Sequence, residues 1–248
     1  MRTERSPSFK GIHLAILLLA ALGTISGATV DSFEKPIRKR VVDFGLNPYY
    51  TRDTAPHIKL TCYFYPRFMV KEYDKGDLGS EWLAIVPIRD GDVPACKRSH
   101  DAQEKVIRRE WTGYFKGAKG RYVFFDAEDS FNGGRPFAVY DADTQSKVFD
   151  DSAADSLTFD RTPDGLLTMR YQRVVLMDCS IVEQKDTCWD KFRLKSKLAD
   201  VPIPQCSGYS GDAEDSDPSV VEYKVEVLLS SRLSVRPLLG QIRCWAAD

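Results

Sequence analysis

The stretch Leu167-Thr168-Met169-Arg170-Tyr171-Gln172-Arg173-Val174-Val175 decides the fold of this 248-residue chain. Apolar side chains recur on one face of an extended backbone here, and polar side chains occupy the other face: Leu167, Met169, Tyr171 and Val175 against Thr168, Arg170 and Gln172. Alternation with period two predicts a half-buried antiparallel strand, because successive side chains of a strand point to opposite faces of its sheet.

The same patterning continues on both sides of this strand. Short apolar runs at 122–125 and 137–140 and the segment Lys147-Val148-Phe149 are separated by acidic or glycine-containing segments. The tetrapeptide 162–165, Thr-Pro-Asp-Gly, predicts a tight turn, because Pro presets one backbone angle and Gly accepts a positive φ. Residues 221–227 alternate again near the end of the chain. All of these segments predict antiparallel strands.

Toward the N-terminus, alternation over 58–65 and an apolar run at 82–88 predict two more strands. The sequence does not decide the secondary structure of the segment 99–109. It fits a short helix with Ser99 or Asp101 near its start, or a strand through 105–111. Residues 179–217 contain prolines and three of the cysteines, so we expect loops held by disulfides there.

About eight to ten strands at intervals of roughly 8–15 residues predict a mainly β protein. We expect an antiparallel β-sandwich or meander with few short helices, stabilised by disulfides. The alternative is a small or partial β-propeller-like fold, since the four strands between 122 and 175 have the outline of one propeller blade.

Six cysteines follow residue 28, and their even number predicts three disulfides: Cys62, Cys96, Cys179, Cys188, Cys206 and Cys244. Zinc sites usually contain pairs of cysteines with two to four residues between them, whereas the closest pair here, Cys179 and Cys188, is nine residues apart. The sequence leaves the connectivity open. The pairing we expect is Cys62 with Cys244, because these residues lie near the two ends of the ordered region and would close a long loop.

Residues 1–28 have the three parts of a secretory signal peptide. A basic start is followed by an apolar run at 14–22 and by the small residues Ser26-Gly27-Ala28. The apolar run is about half of the roughly 20 residues that a membrane span requires. We therefore expect cleavage after Ala28, a secreted or periplasmic location, and no membrane span in the mature chain.

The rest of the chain is expected to form an N-terminal lead-in segment at 29–56 and a single β-rich domain at 57–248. The whole chain carries a net charge of −1 and residues 1–28 carry +2, so the exported part carries −3. This charge gives no electrostatic reason to expect nucleic acid as a partner.

Signatures of catalysis are weak. The motif Ser99-His100-Asp101 has the residue types of a catalytic triad, but adjacent residues point apart. Residues 208–211 lack the G-x-S-x-G pattern of a nucleophile turn. Acidic loops at 126–132 and 212–217 have oxygen side chains suited to calcium, yet neither matches an EF-hand loop. We assign no catalytic residue, no metal ligand and no cofactor.

The best candidates for a binding surface are Tyr63 and Tyr65. Leu60, Cys62 and Phe64 already occupy one face of their strand, so the two tyrosines are expected on the opposite face, where aromatic rings stack on sugars or on another protein.

The sequence thus predicts an exported, non-catalytic β-rich protein that binds a protein or a glycan. An extracellular hydrolase with unidentified acidic residues and a structural component of the cell envelope are the alternatives.

Overall fold

The computed structural model describes residues 32–89, 91–108, 111, 113–198, 201–209, 214–238 and 240–247, so the predicted signal peptide at 1–28 lies outside the described residues. Within these ranges the chain forms strands and one helix, numbered here in chain order: β1 (Arg38–Leu46), β2 (His57–Phe64), β3 (Phe68–Asp74), β4 (Trp82–Pro87), β5 (Lys105–Ile107), β6 (Tyr114–Lys119), β7 (Tyr122–Asp126), β8 (Arg135–Asp141), β9 (Ser146–Ala153), β10 (Thr158–Arg161), β11 (Leu167–Leu176), α1 (Ile181–Ser196), β12 (Cys206–Ser207), β13 (Ser219–Leu229), β14 (Ser234–Pro237) and β15 (Arg243–Ala246).

The strands form two sheets. One has five strands in the order β1-β2-β3-β4-β5. The other has ten strands: eight follow the order β12-β15-β13-β11-β9-β8-β7-β6, β10 pairs with β11, and β14 pairs with β13. Every described pair except β12 with β15 is antiparallel. The predicted antiparallel, sandwich-like fold is confirmed. The four strands that outlined a propeller blade belong instead to the ten-stranded sheet.

Alternating side chains of β7 and β8 enter two different cores. Tyr122 and Phe124 of β7 pack on one side of the sheet, whereas Val123 and Phe125 pack on the other, against the five-stranded sheet. Strands buried on both faces have almost continuous apolar sequences. This explains why residues 122–125 and 137–140 are apolar at nearly every position.

The ten-stranded sheet bends where β9 meets β11. The two strands pair through a single residue pair, Arg173 with Ala153. Beyond the bend the two halves of the sheet face each other, and the ring of Phe137 on β8 lies 5.2 Å from that of Tyr171 on β11. The core between the halves therefore combines period-two side chains from both.

The helix α1 lies within the segment that the sequence predicted to be loop-rich, and that prediction is wrong for residues 181–196. The Ser180 side chain accepts a hydrogen bond from the Glu183 backbone N–H, which caps the first turn. Cys188, Trp189 and Phe192 are buried against the sheet. In contrast, the described residues of 99–108 contain the short strand β5, so the strand alternative is confirmed there.

Three disulfides join consecutive cysteines along the chain: Cys62 with Cys96, Cys179 with Cys188, and Cys206 with Cys244. The expected bridge between Cys62 and Cys244 is wrong. The reason is topological, because Cys62 lies in the five-stranded sheet and Cys244 lies in the ten-stranded sheet. Disulfides of this kind fit an oxidising compartment.

The N-terminal segment at 29–56 contains a strand that the sequence did not predict. Strand β1 forms one edge of the five-stranded sheet through its pairing with β2. Phe33 packs against the rings of Phe124 and Phe159. No helix in the described part of the chain is both long and apolar enough to cross a membrane.

Candidate functional site

Four β-hairpin turns meet at one end of the sheets. They are the connections β2–β3, β6–β7, β10–β11 and β13–β14, at residues 65–67, 120–121, 162–166 and 230–233. Residues of all four hairpins line an open groove of about 860 Å³, which we call the four-turn groove. Its lining residues are Glu34, Pro66, Arg67, Phe68, Lys119, Gly120, Arg121, Tyr122, Arg161, Gly165, Leu166, Leu167, Leu229, Ser230, Ser231 and Arg232.

Glycine makes two of these turns tight. Gly120 and Gly165 have φ values of +60° and +82°, in the left-handed region that side chains with a Cβ rarely adopt. The Gly165 N–H donates to the Thr162 carbonyl at 2.8 Å, which confirms the turn predicted at 162–165. Arg121 and Arg161, beside these turns, are thereby held at the groove.

Each hairpin contributes one arginine to the four-turn groove: Arg67, Arg121, Arg161 and Arg232. All four are exposed. Lys119 adds a fifth basic side chain, which is buried and donates from Nζ to the Ser32 carbonyl at 3.0 Å. Cationic side chains thus come from every hairpin that borders the groove.

Two of these arginines have carboxylate partners. Arg67 Nη2 lies 2.5 Å from Asp143 Oδ1, and Arg121 Nε lies 3.0 Å from Asp141 Oδ2. Arg121 also donates to the Tyr122 hydroxyl at 3.3 Å, and this hydrogen bond is the main reason that the pKa of Arg121 is raised. These pairs hold the two guanidinium groups in place at the edge of the groove.

Arg161 and Arg232 supply positive charge that is not neutralised. Among the residues that the structure describes, no carboxylate lies within ion-pair distance of either. Arg161 Nη1 donates to the Gly165 carbonyl at 2.9 Å. Glu34 is the acidic lining residue, and its Oε1 accepts from the Gly120 N–H. With both paired aspartates counted, the groove still has two positive charges in excess, on a chain whose net charge is −1.

This arrangement is suited to anions. A guanidinium group presents several N–H donors in a plane that matches carboxylate, sulfate and phosphate oxygens, and it stays charged at any physiological pH. Four such groups from four separate turns surround one groove. Pro66 and Leu166 are the exposed apolar side chains among the lining residues.

Tyr63 and Tyr65, the binding residues predicted from the sequence, lie between the two sheets. The expectation that they face solvent is wrong, because this side of β2 is covered by the ten-stranded sheet: Tyr65 is 3 % exposed, and the ring centroids of Tyr63 and Phe115 are 4.5 Å apart. Burial raises the pKa of Tyr65 to about 12. Neither tyrosine lines the four-turn groove.

The motif Ser99-His100-Asp101 is not assembled as a triad. His100 Nδ1 lies 3.0 Å from Glu104 Oε2, whereas Asp101 accepts from Lys97 at 2.8 Å. Of the segment 208–211, which lacks the nucleophile-turn pattern, Ser210 and Gly211 lie outside the described residues.

A buried ion pair lies beside this motif. Lys71 Nζ is 2.5 Å from Glu104 Oε1, and both side chains are 0 % exposed. Lys71 also donates to the Ser99 carbonyl at 3.2 Å. Because both ions are shielded from water and hydrogen-bonded, the pair fixes the segment around residues 99–104 on the five-stranded sheet.

The acidic loops considered for calcium have other contacts. Asp126 pairs with Lys116 at 2.8 Å, and Asp217 Oδ2 accepts from the Glu214 backbone N–H. In the described ranges, no group of three or more His, Cys, Asp and Glu side chains is arranged to hold a metal ion.

The four-turn groove was not predicted from the sequence, although residues typical of turns lie in each of its hairpin connections. Pro66 precedes Arg67, Gly120 precedes Arg121, and Ser230 and Ser231 precede Arg232. What the sequence did not reveal is that these turns lie at the same end of the sheets.

No protein-family model, no curated protein and no solved structure matches this chain.

Proposed function

We propose that this protein is an exported, non-catalytic binding protein whose ligand is an anionic glycan, carrying sulfate or carboxylate groups, held in the four-turn groove. The observation that carries the proposal is the convergence of Arg67, Arg121, Arg161 and Arg232 from four separate hairpins. The predicted signal peptide and the three disulfides support a place outside the cytosol.

The composition of the groove favours a glycan over an acidic polypeptide. Protein interfaces depend on aromatic and aliphatic anchors that fill apolar pockets. Here Phe68, Tyr122 and Leu229 are buried, Pro66 and Leu166 are the exposed apolar side chains, and the rest of the exposed lining is mainly arginines, the hydroxyl-bearing Ser231 and turn backbone. Such groups match the hydroxyls and acidic substituents of a charged sugar chain.

The binding test uses dextran sulfate and oligogalacturonate as probes, with neutral dextran as the negative control. Replacing Arg161 and Arg232 together by glutamine is expected to weaken binding of the anionic probes about ten- to a hundred-fold, since two charge-assisted hydrogen-bond donors are lost. Isothermal titration calorimetry at fixed salt measures the dissociation constants, and a salt series measures how many ion contacts are made.

The matched control replaces Arg52 and Arg135 by glutamine. These two arginines are exposed, do not line the groove, and give the same change in net charge. We expect the control to bind like the unchanged protein. Equal losses in both double variants would overturn the site, and binding of polyglutamate as tight as that of dextran sulfate would overturn the glycan class.

A further inference from the structure

Strand β1 is an exposed edge of the five-stranded sheet. Among the described strands it pairs with β2 and with no other. It carries unusually exposed apolar side chains, with Val41 50 % exposed and Phe44 45 % exposed, and Ile37 just before it is 71 % exposed. An edge strand presents unpaired backbone N–H and C=O groups, and natural proteins normally protect such an edge.

The sequence of β1 is complementary to itself when run antiparallel. If a two-fold axis passes through Val41, then Lys39 of each copy faces Asp43 of the other, and Val41 faces Val41. Opposite charges directly across an antiparallel pair stabilise it, whereas like charges destabilise it.

The local structure of β1 suits this register. Asp43 is held by a hydrogen bond with His57 at 2.8 Å and by the Gly45 N–H at 2.8 Å, so its carboxylate has a fixed position. The regular pairing of β1 with β2 is interrupted after Asp43, where Gly45 has a φ of +89°. This bulge bends the strand and ends the straight segment soon after the residues that would pair.

We propose that β1 pairs antiparallel with β1 of a second copy of this chain, centred on Val41. This pairing joins the five-stranded sheets of the two copies into one continuous sheet across the dimer. The interface is confined to one strand and its flanking side chains, so the dimer is weak. The four-turn groove does not include β1. The dimer therefore presents two grooves, and a polymeric ligand that reaches both would bind with higher avidity.

The test exchanges the charges of the two facing positions and uses sedimentation velocity over a wide concentration range. The unchanged, oxidised protein is expected to show a concentration-dependent dimer. K39D and D43K alone each place like charges opposite each other twice, and each is expected to weaken the dimer at least about tenfold. An equimolar mixture of K39D and D43K is expected to form dimers again, since opposite charges then face each other at both positions.

The double variant K39D/D43K tests the same register within one chain and is expected to dimerise like the unchanged protein. Near-UV circular dichroism and thermal unfolding of each variant verify that it is folded. The proposal is overturned if the unchanged protein stays monomeric throughout, if the single variants dimerise as it does, or if neither the mixture nor the double variant restores the dimer.

Discussion

Replacement of Lys71 by methionine is expected to lower the free energy of unfolding by about 3–5 kcal/mol. The Lys71 ammonium group lies 2.5 Å from Glu104 Oε1 and has no exposed side-chain surface. Without it, the Glu104 carboxylate stays buried and, among the described residues, is left with the contact of Oε2 with His100. The cost is mainly that of an uncompensated buried charge, and chemical denaturation of the oxidised protein measures it.

The control for this variant is Lys59→Met, an exposed lysine on the neighbouring strand β2, which should change stability by no more than about 0.5 kcal/mol. The double variant Lys71→Met/Glu104→Leu removes both charges, so it should lose less stability than Lys71→Met alone. An equal and small loss for Lys71→Met and Lys59→Met would show that the Lys71–Glu104 pair is not buried as described.

Removal of the Cys62–Cys96 disulfide, by replacing both cysteines with alanine, is expected to cost about 4 kcal/mol in the chain-entropy account of cross-links. The two cysteines are 34 residues apart in sequence. The bridge also ties Cys96 to a core formed by Leu60, Tyr73 and Trp82 on the outer face of the five-stranded sheet. In the variant without this disulfide, the near-UV circular dichroism of Tyr73 and Trp82 should therefore be lost before global unfolding.

The matched comparison is removal of the Cys179–Cys188 disulfide, which spans 9 residues. A shorter loop restricts the unfolded chain less, so we expect a loss of about 3 kcal/mol. Denaturation midpoints of both double variants, with the oxidised and the fully reduced protein as references, show which disulfide contributes more to stability. The reverse order would refute the loop-closure account, and unchanged stability in strong reductant would separate the disulfides from folding altogether.

Strands and tight turns were predictable because their signals are local. The alternation in 167–175 and the Thr-Pro-Asp-Gly turn at 162–165 each depend on residues within one strand or one turn. Such signals survive in any tertiary context that buries one face. The antiparallel fold class follows from them, as does the presence of disulfides.

The exposure of Tyr63 and Tyr65 was not predictable in the same way. A tyrosine fits a half-buried strand and a fully buried one, since its hydroxyl is satisfied by one partner, as by Glu72 for Tyr63. Whether a second sheet covers that face depends on β6 to β8, far along the chain. The pairing of Cys62 depends likewise on where residues 94–96 cross the five-stranded sheet.

Helix α1 was missed although its start carries a recognisable pattern. Ser180 and Glu183 have the spacing of a capping box, S-x-x-E. The helix has few apolar residues, so its sequence shows little of the periodicity that predicts a helix. In the structure, Lys185 also interrupts the helical geometry with a φ of +39°. Pinned by the Cys179–Cys188 bridge and by buried Trp189, a helix forms that its amphipathicity alone would not predict.

We propose above that this protein binds anionic glycans in the four-turn groove. Amide hydrogen exchange with and without dextran sulfate tests the location of this binding site most directly. We predict slower exchange in peptides that cover residues 65–68, 119–122, 161–167 and 229–233, and unchanged exchange in α1. Slower exchange confined to other parts of the chain, with the four turns unaffected, would contradict the account.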